Sequence, residues 1–187
     1  MYKFFLKKII ILFLLLSFLP STVLAREVIL RDIIVTTSKT NLLAYFTIDG
    51  CFTKDMQEAI FNGVPVTFTF IVKLNKKRRF FPDKRINSFK VYHTIKYDQL
   101  KDVFEIKRTE RAEGILTSKD FVQAKHLMAE VETKVAPVFK LKKGEKYQLS
   151  LKAELNKVTL PLYLHYIFFF VSLWNFETNW HKVVFTY

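Results

Sequence analysis

The chain has 187 residues, of which 30 are basic and 17 acidic, giving a net charge of +13 at pH 7. One domain of this length has enough chain to bury a proper core. A lone cysteine, Cys51, excludes an internal disulfide framework, and a total of four glycines argues against a loop-built, phosphate-cradling site.

The chain opens MYKFFLKKIIILFLLLSFLPSTVLA. Lys3, Lys7 and Lys8 precede an apolar run from Ile9 to Leu19 that only Ser17 interrupts and Pro20 ends. Val23-Leu24-Ala25 fits the small-residue rule of signal peptidase, so residues 1–25 are expected to be a cleaved secretory signal. The run is short of the roughly 20 residues of a membrane span. Left uncleaved, it would anchor the domain to the inner membrane. No cysteine follows the cleavage site, so no lipid anchor is expected there. Residues 26–187 then form a single β-rich domain with 27 basic and 17 acidic residues, net +10. Such a surplus draws anionic partners. In an exported protein these are lipid headgroups, cell-wall polymers or acidic proteins, and not nucleic acid. A lysine-rich genome would give the same surplus with no partner implied.

Strand patterns dominate the mature chain. EVILRDIIVTT and LLAYFTID flank the polar SKTN, as in a hairpin. In VPVTFTFIVKL, Val66, Phe68, Phe70, Val72 and Leu74 share one face, against Thr67, Thr69, Ile71 and Lys73 on the other. FKVYHTIKY and KYQLSLKAEL alternate in the same way, and HKVVFTY reads as a last strand. One wet and one buried face is the antiparallel pattern. Two helices interrupt. Thr53 is placed to cap KDMQEAIFN, with Met56, Ala59 and Ile60 in one stripe and Gly63 and Pro65 ending it. Ser118 is placed to cap KDFVQAKHLMAEVE, with Phe121, Ala124, Met128 and Val131 as its apolar stripe. Together these imply a mainly antiparallel β-sandwich of about seven strands, with two or three short helices closing its ends or edges. Cys51 reads as a small buried hydrophobe.

No catalytic or metal constellation rises above background. His126 and Glu130 stand four apart on the second helix, but zinc needs at least three protein ligands. Lys119, Gln123, His126 and Glu130 read as a solvated helical stripe. His93 lies on the apolar face of its strand and reads as a hydrogen-bonded core histidine. Asp55 is explained by the helix dipole at its N-terminus. No Gly-x-Ser-x-Gly is present, and no cofactor is expected.

The basic stretch KLNKKRRFFPDKRINSFK is the strongest candidate surface. Lys76, Lys77, Arg78 and Arg79 precede Phe80-Phe81-Pro82, and Lys84 and Arg85 follow the single acid Asp83. The stretch joins two alternating strands, so it belongs at a hairpin end. Cations around an exposed aromatic pair suit a membrane interface or an acidic protein; rings tucked under the sandwich would leave only a solvated edge. LPLYLHYIFFFVSLWNF, residues 160–176, has no charge. It is broken by Pro161, Tyr163, His165 and Ser172 and followed by a strand-like end, so it is expected not to cross a membrane. Tyr163, Tyr166, Phe169 and Trp174 could form an exposed apolar patch.

DGCFTKDMQEAIFNGVPVTFTF, YHTIKYD and LPLYLHYIFFFVSLWNFETNW, with the spacing between them, resemble the bacterial family called domain of unknown function 4390. The resemblance covers nearly all of the mature chain. It implies an exported Gram-negative envelope protein with a β-rich domain and brings no activity with it; some relatives are encoded near an envelope nitrogen sensor kinase. Where the family pattern leads one to expect acids in a WDFETDW ending, this chain has Asn175 and Asn179, so no carboxylate site is expected there. Three functions remain in order: a non-catalytic periplasmic interaction module acting on another envelope protein, a lipid- or membrane-surface-binding protein using the basic hairpin and aromatic C-terminal region, and last an unrecognised hydrolase.

Overall fold

Residues 27–112, 114–155 and 176–187 are described by the computed structural model. The expected signal 1–25 lies outside these residues. So does nearly all of 160–176, with Tyr163, Tyr166, Phe169 and Trp174 in it. Among the described residues no helix is long and apolar enough to cross a membrane.

Alternating side chains build most of the strands. In chain order the elements are β1 (Ile29–Thr37), β2 (Asn41–Asp49), α1 (Lys54–Phe61), β3 (Val66–Lys76), β4 (Lys84–Asp98), β5 (Val103–Arg108), β6 (Ile115–Ser118), α2 (Phe121–Ala129), β7 (Glu130–Pro137), β8 (Lys146–Leu155) and β9 (His181–Thr186). All pairings are antiparallel. They make a three-stranded sheet, β1-β2-β7, and a six-stranded sheet, β6-β5-β4-β3-β8-β9. Among the described residues there are nine strands against the expected seven or so; the sequence pattern does not mark β5, β6 and β7, whose alternation is weak or overlaid by other signals.

The two sheets form a sandwich-like arrangement. Leu42, Ala44, Phe46 and Ile48 of β2 are buried, as are Val66, Phe68, Phe70, Val72 and Leu74 of β3 and Tyr147, Leu149, Leu151, Ala153 and Leu155 of β8. Phe46 meets Phe70 edge-on at 5.7 Å across the two sheets. The other face of β3 is not uniformly wet, contrary to the simple alternation: Thr69 is fully buried. This short side chain sits in register between Tyr92 of β4 and Glu154 of β8.

Helix α1 follows its sequence signals. The Thr53 hydroxyl accepts from Met56 N at 3.2 Å, and Met56, Ala59 and Ile60 are buried. At the other end Gly63 N donates to Ile60 O and Val64 N to Ala59 O. That is a Schellman closure, and Gly63 takes the left-handed φ of 80° it requires. Helix α2 departs from its expected start and end. Its cap is Asp120, whose carboxylate accepts from Val122 N and Gln123 N, while the Ser118 hydroxyl donates to Asp120 O and lies 2.8 Å from Gln123 Oε1. The helix stops at Ala129, so Glu130 and Val131 belong to β7 and the stripe expected from Lys119 to Glu130 is not one helical face. Asp120→Ala should therefore cost about 1 kcal/mol of stability in chemical denaturation. An unchanged midpoint would return the cap to Ser118.

Candidate functional site: the basic end of the sandwich

Three connections meet at one end of the molecule because every strand involved starts or stops there. They are the β1–β2 loop, the β3–β4 hairpin end and the β7–β8 connection. Strand pairing sets Lys76 opposite both Lys84 and Tyr147. Main-chain bonds tie the loops together. Lys77 N donates to Lys146 O at 2.9 Å, and Val138 N donates to Thr40 O at 2.9 Å. An ion pair of 2.8 Å between Lys76 and Glu145 joins the hairpin to the β7–β8 turn.

The hairpin places the expected contact residues as a protruding tip. Phe80 is 83 % exposed and Phe81 71 %, which rules out rings tucked under the sandwich. Lys77, Arg78, Arg79, Lys84 and Arg85 are exposed beside them. Asp83 organises the tip from within: its carboxylate accepts from Lys77 Nζ at 2.9 Å and from Arg78 N at 3.3 Å. The hydrogen bond from Lys77, helped by the Arg78 main-chain N–H and the Lys77 charge, holds the Asp83 carboxyl below the usual carboxylate range against the opposing effect of desolvation, so the acid stays ionised and keeps the loop shaped. Arg79 lies over the Phe80 ring at 5.5 Å. The flanking cations of the same stretch go elsewhere. Lys73 sits over Trp180 at 4.1 Å, and Lys90 pairs with Glu154 at 3.5 Å.

Sequence reading missed a third ring at this end. Phe139, in the short 3-10 turn Val138–Lys140 after β7, is 82 % exposed. Its signal was one aromatic residue among Lys140, Lys142 and Lys143 just before Gly144. Nothing local tied that loop to the hairpin, because the tie is strand register.

A second polar feature lies inside the fold. His93 is fully buried, with Nδ1 2.9 Å from Met128 O and Nε2 2.8 Å from Glu110 Oε1. The Phe70 ring meets the imidazole edge-on at 5.0 Å. A carbonyl oxygen only accepts, so Nδ1 carries a hydrogen, and one further proton lies between Nε2 and the carboxylate. Burial pushes the Glu110 carboxyl up, but the hydrogen bond and charge of His93, together with the charge of Arg108, outweigh it and hold the group below its usual range. The Glu110 carboxylate thus accepts from the buried His93 ring across the 2.8 Å contact. This agrees with His93 as a core histidine.

Grooves indent the surface away from the basic end. One of about 380 Å³ is lined by Asp49, Cys51, Gln57 and His126 among others. Cys51 is buried there, and His126 is exposed. Among the described residues, no three His, Cys, Asp or Glu side chains converge in a way that could hold a metal ion.

Comparisons with curated proteins and with solved structures found no match to this chain. A family model described as "Domain of unknown function (DUF4390)" matches residues 25–184, nearly the whole chain, and the protein belongs to that family.

Proposed function

We propose that this chain is a non-catalytic interaction module of the bacterial envelope, exported to the periplasm, and that the basic end is the surface it presents to an anion-rich partner. The observation that carries this reading is the pair of exposed rings, Phe80 and Phe81, held at a hairpin tip by Asp83 and surrounded by cations. A merely solvated edge would have no use for 83 % exposure of a phenyl ring. Attraction between exposed charges is screened over about 10 Å at 0.1 M salt, so binding to this surface should fall steeply with salt. The test is co-sedimentation of the purified protein with a native envelope fraction. Arg79→Glu with Lys84→Glu, both exposed and outside the Asp83 contact, should weaken binding at least about tenfold while leaving the unfolding free energy within about 0.5 kcal/mol of wild type. Unchanged binding by this variant would overturn the assignment.

A further inference from the structure

The charge of this protein is polarised along its strands. The three segments that meet at the basic end, 38–41, 76–85 and 138–146, hold eleven basic residues and two acidic ones, whereas the rest of 26–187 holds 16 basic and 15 acidic. Nearly the whole net charge of the domain thus sits at one end. Strand β3 has 11 residues, a length of about 36 Å at about 3.3 Å per residue. The acids of the far end lie several screening lengths away. An approaching surface therefore meets the basic end alone.

The same end carries the three most exposed phenylalanines among the described residues, Phe80, Phe81 and Phe139. They come from two loops that are bonded to each other through the Lys76–Glu145 ion pair and the Lys77–Lys146 main-chain bond. At 71 to 83 % exposure the rings stand out from the surface and do not line a recess. Protruding apolar rings among cations fit a soft, anionic surface that can receive them; a folded protein would need a matching set of pockets.

Resting on the assignment of this end as the interaction surface, we propose that its partner is an anionic lipid bilayer, and that the domain docks end-on. The cations of the three loops lie at headgroup level. Phe80 and Phe81 from the β3–β4 hairpin and Phe139 from the β7–β8 connection insert as two separate anchors. The strands then stand steeply to the membrane, and helices α1 and α2, at the opposite ends of the strands, face away from it.

The experiment uses protein purified from cells expressing the full chain and sedimented with protein-free vesicles. One set is phosphatidylcholine alone, the other phosphatidylcholine with equal parts phosphatidylglycerol. Binding is expected to the second set only and to decline with salt. Phe139→Ser and Phe80→Ser should each weaken it roughly tenfold, the loss from withdrawing one ring. Leu100, 99 % exposed in the β4–β5 turn at the far end, is the control: Leu100→Ser should bind as wild type. A Phe139→Ser variant that binds unchanged, or a Leu100→Ser variant weakened as much, overturns end-on docking. If anionic vesicles are not bound while the native envelope fraction is, and protease treatment of that fraction abolishes binding, the partner is a protein; the lipid proposal then falls and the interaction surface stands. Binding to neither overturns both.

Discussion

Glu110→Ala should lower the unfolding free energy by about 3–5 kcal/mol, read from the midpoint of chemical denaturation, because it leaves a buried imidazole nitrogen without its carboxylate partner. Glu110→Gln keeps a hydrogen-bonding group against Nε2 and should cost less. The pair also sets an acid limb. Folding holds this carboxyl below its ordinary value of about 4.3, so above that pH both states are ionised and the contribution is complete. As pH falls through the unfolded value the unfolded chain takes up a proton that the folded one refuses. Stability then drains until the folded value is passed. The melting temperature of the wild type should therefore decline between about pH 5 and pH 3 more steeply than that of Glu110→Gln. Parallel slopes would mean that the two groups do not share an ion pair.

Phe70→Ala should be comparably damaging, at about 3–5 kcal/mol, since the ring is fully buried and its loss opens a cavity between the sheets. The ring touches Phe46 on the opposing sheet and His93 on its own. Its effect should not add to that of Glu110→Ala: a double-mutant cycle should show coupling above about 0.5 kcal/mol, because both residues share His93 as a partner. By contrast Phe81→Ala, at 71 % exposure, should leave stability within about 0.5 kcal/mol. A Phe81→Ala variant as unstable as Phe70→Ala would place that ring in the core.

Much of the fold was legible in the sequence wherever one physical signal acted alone. Strands β3, β4 and β8 alternate, and the apolar positions read from that period are buried or, like Phe89 and Tyr97, packed half-buried against the core. Helix α1 was bracketed by Thr53 and Gly63, two residues whose roles depend only on local backbone. The losses came where signals competed. Val131, Thr133 and Val135 of β7 alternate, but Val131 also continues the helical spacing of Phe121, Ala124 and Met128. No Gly or Pro separates α2 from β7, so the helix was read too long. Strand β6 has four residues, too few for a period. Strand β5 turns Arg108 to the buried side, which hides its alternation. At the candidate site the exposed hairpin tip was legible because the eight residues expected to make contact are contiguous or nearly so. Phe139 was not, because its place beside them is made by register between strands far apart in the chain. The partner of His93 was hidden for the same reason: Glu110 follows β5, which returns beside β4.

The order in which strands find their neighbours has a kinetic consequence. Strand β2 meets β1 at once, but its other partner is β7; β3 meets β4 at once, but its other partner is β8. Both sheets are thus closed by strands from the second half of the chain. Contacts of such long range put the folding time of a β-rich domain roughly in the millisecond-to-second range. Until Glu130–Pro137 is available β2 has only β1 beside it, and until Lys146–Leu155 is available β3 is the open edge of the β3-β4-β5-β6 meander, so each sheet keeps an unpaired edge and an uncovered apolar face. A chain synthesised or threaded from its N-terminus would remain open through most of its length and then close late and cooperatively. That delay exposes the chain to aggregation unless a holdase covers it.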